Sequence, residues 1–176
     1  IDERIIKEGF NFGIIEDVLD AHTVFSEAEL QKLKELQLVF QNNISQLSEN
    51  EYRREFERLT IDLSWKSSQI EGNTYSLLET EKLLKEKEAA AGKTREEATM
   101  LLNHKDALDF ILENSDFIHP LSVSKIEDIH SLLIKDLEVE RNLRKRRVGI
   151  SGTNYKPLDN EFQIAEALKI SCDVIN

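Results

Sequence analysis

The chain predicts a mainly α fold, a helical bundle carrying one short β-hairpin, and three observations lead there. Apolar residues recur at three- and four-residue steps through most of the 176 residues. Only 6 Gly and 2 Pro are present and no Pro precedes Pro120, so long helices can run unbroken over the first two thirds. Between Leu143 and Tyr155 a loose alternation containing Gly149 and Gly152 replaces the helical period, which suits a hairpin.

Taken in order, residues 1 to about 23 show no sustained period. Phe10, Phe12, Ile14 and Ile15 form an apolar arm for packing on the body or on a neighbouring copy, so a homodimer stays open. Ser26 with Glu29 is a capping box, and Leu30, Leu33, Phe40, Ile44 and Leu47 carry one helical stripe to about residue 47. Ser48-Glu49-Asn50 breaks it. A second helix over 51–70 follows, its apolar face drawn by Tyr52, Phe56, Leu59, Leu63 and Ile70, with Trp65 as a core or interface anchor. The short link predicts that these two helices pack as an antiparallel pair.

Ser76 with Glu79 opens a short helix carrying Leu77, Leu78, Thr80, Leu83 and Leu84, which ends at Glu88–Gly92. Thr94 caps a helix with early acid (Glu96, Glu97) and Leu101, Leu108, Ile111 and Leu112, reaching about Asn114. His119-Pro120 is a loop, and Ser122 or Ser124 opens a helix with Ile126, Ile129, His130, Leu133 and Ile134 on one side. After the hairpin and Pro157, Asp159 or Asn160 caps a last helix running to Asn176. No repeat, low-complexity tract or long linker divides the chain.

Hydrophobic residues make up 40% and charged residues 32%, enough for one domain with a real core. The formal charge of −11 argues against a nucleic-acid partner, whose protein footprint is basic. The lone Cys172 rules out an internal disulfide and fits a reducing compartment. No run of 18 apolar residues and no signal-peptide pattern occur, so a cytoplasmic protein without a membrane partner is expected. The first residue is Ile1 rather than Met, which points to a piece of a longer polypeptide.

The stretch around which the rest is organised is Ser67-Ser68-Gln69-Ile70-Glu71-Gly72-Asn73-Thr74. Gly72 and Asn73 are residue types that tolerate the left-handed conformation of a helix C-cap. Ser67 lies one turn before Glu71, so hydroxyl and carboxylate share a face. A carboxylate at a helix C-terminus is poorly placed against the dipole. It is either a solvated residue at an ordinary helix end or one held there to meet a positive partner.

With Leu77-Leu78-Glu79-Thr80 and Asn103-His104-Lys105-Asp106-Ala107, this stretch resembles the N-terminal half of Fic-family proteins, which mostly transfer AMP from ATP to a hydroxyl of a target protein. In that family a Ser/Thr-x-x-x-Glu-Gly/Asn helix is inhibitory, and Ser67, Glu71 and Gly72 fall on its defining positions. The fold implied is a Fic-like helical bundle: 1–114 the N-terminal helical region with the inhibitory helix, 115–176 the first part of the core. Arg144, Val148, Gly149, Ile150 and Gly152 are similar to the family's flap, a hairpin that aligns a target segment by strand addition. The family often has Gly where this chain has Arg141. The alternative for the basic residues of 141–147 is a solvated charged hairpin.

His104 and His130 lie on helix faces as packing residues, and no His has neighbours at metal-site spacing, so no metal ligand is assigned. His119-Pro120 opens like the Fic catalytic motif but continues Leu121-Ser122-Val123-Ser124, which departs from it. The chain ends before that motif, so no catalytic residue is assigned and neither ATP nor Mg²⁺ is expected on this chain alone. The resemblance implies both as cofactors of the intact enzyme, with a Ser, Thr or Tyr hydroxyl of a target protein as acceptor. It further implies that Glu71 pairs with the last Arg of the missing motif and blocks productive ATP binding. Competing readings are a non-catalytic, antitoxin-like regulator or a helical dimerisation module.

Overall fold

The computed structural model describes residues 9–19, 24–150 and 152–176. A short π-helical turn (Ile14–Leu19) precedes α1 (Glu27–Ser45), α2 (Glu49–Ile70), α3 (Leu77–Glu86), α4 (Arg95–Glu113), α5 (Ser115–Ile118), α6 (Val123–Leu133) and α7 (Glu161–Ile175). The fold is mainly α. Among the described residues no strand forms, and the β-type pairing is a single parallel bridge between Gly9 and Lys156.

Four helices begin in the same way. Ser26, Ser48, Ser76 and Thr94 each accept from the backbone N–H three residues on, and Glu29, Glu51, Glu79 and Glu97 reach back to the cap. These reciprocal bonds satisfy donors that a helix start otherwise leaves open. Ser48 is therefore a cap as well as the break expected from sequence.

Two compact units result. One comprises Phe25–Asn114 and Ser131–Val139; the other comprises residues up to Val24, Ser115–His130 and Glu140–Asn176. In the first, α2 packs on α3 and α4, and α3 on α4. Ile61, Tyr75, Leu83, Leu84, Ala98 and Leu101 form its core. Asn103 ties the 131–139 segment down by donating through Nδ2 to the carbonyls of Leu133 (3.0 Å) and Lys135 (2.6 Å).

Two expectations about this unit fail. α2 buries Thr60, Ile61, Ser64 and Ser68, whereas Tyr52, Leu59, Leu63 and Ile70 stay exposed, Ile70 to 84%. Small side chains let α3 and α4 approach α2 closely, and the Ser68 hydroxyl is satisfied by the Ser64 carbonyl at 2.6 Å. The antiparallel pairing of α1 with α2 is also absent. α1 buries no residue and makes no extensive packing with α2, α3 or α4; Leu33, Leu36 and Phe40 remain open.

In the second unit the π-helical turn packs on α7, burying Ile15, Ala167 and Cys172. Asn176 closes α7 onto the α5–α6 connection: Leu121 N–H donates to its Oδ1 (2.6 Å), and its Nδ2 donates to the Leu121 carbonyl (2.8 Å).

Candidate functional site

The end of α2 is a Schellman turn. Glu71 is the C-cap with φ −84° and ψ 6°, and Gly72 takes the left-handed φ of +90°. Gly72 N–H donates to Gln69 O (3.1 Å) and Asn73 N–H to Ser68 O (2.9 Å), the paired bonds of this motif. A Cβ at position 72 would meet nothing within 4 Å, so Gly is required by conformation and not by space.

Beyond Gly72 the chain is pinned immediately. Asn73 is buried; its Nδ2 donates to Glu97 O (2.9 Å) and its Oδ1 accepts from Tyr75 N–H (3.0 Å). Thr74 donates twice to Glu97 Oε1, from N–H (2.7 Å) and from its hydroxyl (2.6 Å). Lys93 Nζ donates to Thr74 O at 2.6 Å. The Trp65 indole donates to Tyr75 O (3.0 Å), so Trp65 anchors this turn as expected of a residue beside it.

The electrostatics follow from these bonds. Glu97 accepts from the Thr74 hydroxyl, the Thr94 N–H and the Thr74 N–H, all of which favour the carboxylate, and its pKa falls to about 2. Burial pushes the His104 imidazole below its usual range, against the opposing pull of the Glu71 charge. The Glu71 side chain is exposed, and among the described residues it is joined to no cation. Ser67 is half-buried one turn earlier. Ser64 Oγ, fully buried, has no hydrogen-bond partner among the described residues.

Ser67, Glu71 and Gly72 thus lie together in the last turn of α2 and the two residues after it. Asn73, Thr74, Lys93 and Glu97, which hold that turn, were not recognised from sequence. The Thr94/Glu97 spacing marked only a helix start, and nothing local indicates that the same carboxylate also serves Thr74, 23 residues away.

The second sequence-predicted site is built differently. The hairpin expected over 143–155 is not formed; the stretch is irregular among the described residues. Arg144 donates to one carbonyl within it, Arg146 O (3.3 Å), and to Leu158 O beyond it. Val148 and Ile150 are exposed and Gly149 is open, while Gly152 makes a left-handed turn at φ +78°. Four of the five basic residues are paired with acids: Arg141 with Asp128 (3.6 Å), Lys145 with Glu161 (3.7 Å), Arg146 with Glu140 (3.2 Å) and Arg147 with Asp159 (2.9 Å).

Among the described residues no group of three or more His, Cys, Asp and Glu side chains could hold a metal ion. No described helix is long and apolar enough to cross a membrane. A groove of about 650 Å³ runs between α2 and α3, lined by alternating Arg54, Glu57, Arg58, Asp62, Glu81 and Lys85. Its mixed charges offer no convergent set for one ligand. No family profile, curated protein or solved structure matches the chain.

Proposed function

We propose that these residues form the regulatory and target-docking portion of an autoinhibited Fic-type adenylyltransferase, with Glu71 as the inhibitory carboxylate. The observation that carries this is the presentation of Glu71: an exposed, unpaired acid at a helix C-terminus, fixed by the turn that follows it. The dipole disfavours that placement, and a guanidinium brought to the carboxylate relieves it by a charge-assisted, bidentate pair. The arginine comes from outside these residues. It is the group the ATP γ-phosphate also needs, so Glu71 and productive nucleotide binding exclude one another.

Among the described residues no group fits a Mg²⁺ site, and no chemical step is assigned to them. Their part is to hold Glu71 and to offer Arg144, Val148, Gly149, Ile150 and Gly152 to a target segment. Strand addition then requires the irregular 143–155 stretch to become extended on contact with the target. Glu71→Gly, made in the polypeptide as naturally expressed, raises AMP transfer from labelled ATP at least tenfold. Unchanged transfer removes the inhibitory assignment.

One observation favours a second reading, a helical association module. α1 exposes Leu33, Leu36, Leu38, Val39 and Phe40 together. Sedimentation of the 176-residue chain tests this second reading, since a chain that stays at its 20.3 kDa monomer mass removes it.

A further inference from the structure

Residues 73–75 leave α2 and touch two later parts of the chain, the start of α4 and the 87–94 loop before it. Thr74 is the meeting point. Its hydroxyl donates to Glu97 Oε1 at 2.6 Å and accepts from Lys93 Nζ at 3.1 Å, so one oxygen joins both segments. Its carbonyl accepts from the same Lys93 at 2.6 Å. The Tyr75 hydroxyl accepts from Ala90 N–H at 3.2 Å, adding a second tie to the loop. Lys93 is itself held within 3.7 Å of the Glu79 carboxylate on α3 and lies 17% exposed, so its position is set by the fold. The Glu71 carboxylate shares in none of these bonds, and the turn sets the backbone from which it projects.

We propose that Thr74, Lys93 and Glu97 are positioning residues for Glu71, forming a latch by which the 87–94 loop sets whether the end of α2 stays closed. The regulatory meaning rests on the reading of Glu71 above; the latch is a property of residues 70–97 alone. Drawing the loop away removes Lys93 from two Thr74 oxygens and Ala90 from Tyr75. The Schellman turn then keeps its ties to α4 and to Trp65 but loses those to the loop, and the end of α2 opens more readily. A protein partner that grips the 87–94 loop is therefore a means of relieving inhibition without touching Glu71.

Hydrogen exchange of the 176-residue chain tests this at the Gly72, Asn73 and Thr74 amides. Thr74→Val removes the bridging hydroxyl but keeps the volume and the Thr94 cap of α4; Lys93→Ala removes the loop's contact and no backbone bond. Each should speed exchange at residues 72–74 by about fivefold or more while leaving α4 amides unchanged. Thr74→Ser, which keeps the hydroxyl, should restore protection. Unchanged exchange in both variants overturns the latch, as does an equal rise along the whole of α4, which would signify general destabilisation. Exchange is read without transferase activity, so a failed latch and a failed Glu71→Gly experiment are separately visible.

Discussion

At the end of α2 a single carboxylate, Glu97, receives three donors from two segments, and buried Asn73 uses both ends of its amide. Along 141–161, Arg141, Lys145, Arg146 and Arg147 are each ion-paired with one acid, and their side chains are exposed by 61% to 85%. Pairs of the second kind contribute about 0–1 kcal/mol each, because solvent screens them and long side chains lose entropy in forming them. Hydrogen bonds converging on one acceptor fix geometry, and isolated exposed pairs leave it adjustable. The contrast suits the two proposed roles: a carboxylate that must stay in place, and a docking segment that must change shape on meeting a target.

Substitutions can break this comparison in graded steps. The largest effect belongs to Asn73→Ala, which leaves the buried Tyr75 N–H without its acceptor and removes the tie from the turn to the Glu97 carbonyl. Chemical denaturation should show a loss of about 1–3 kcal/mol. Gly72→Ala follows at about 1–2 kcal/mol, the cost of a Cβ in the left-handed region, since no atom crowds the position.

Acid titration acts on the same turn. Glu97 titrates near 2 when folded and at its ordinary 4.5 when unfolded. Its contribution is therefore complete above pH 4.5 and is lost as pH falls through about 2. In urea melts between pH 5 and 2, Glu97→Gln should flatten this part of the pH dependence. The smallest effect is reserved for the other region: Arg147→Ala should change stability by less than about 0.5 kcal/mol. A loss as large as that of Asn73→Ala would erase the distinction between the two regions.

Much of the helical framework was legible because its signals are local. The Ser26, Ser76 and Thr94 starts, and the Gly72 stop, each rest on residues within one turn of the boundary. What sequence did not show depends on tertiary choice. Tyr52, Leu59 and Leu63 draw a convincing apolar face on α2, yet the core lies against Thr60, Ile61, Ser64 and Ser68, where small side chains permit closer packing. Alternation over 143–155 resembles a hairpin, but the described residues there are irregular, with Arg144 bonded to the Arg146 and Leu158 carbonyls and four neighbouring cations paired with acids. The latch joins residues about twenty positions apart, beyond any periodic pattern. The Glu71 motif itself was visible; what holds it was not.

The most direct test separates the charge of Glu71 from its shape. Glu71→Gly also alters the C-cap beside Gly72, whereas Glu71→Gln keeps the side-chain length and removes only the charge that a guanidinium would pair with. AMP transfer from labelled ATP should therefore be measured with Glu71→Gln in the naturally expressed polypeptide. The account predicts release of activity comparable to that of Glu71→Gly. Transfer that stays at the wild-type level in Glu71→Gln would contradict it, because the inhibition would then not depend on the carboxylate charge.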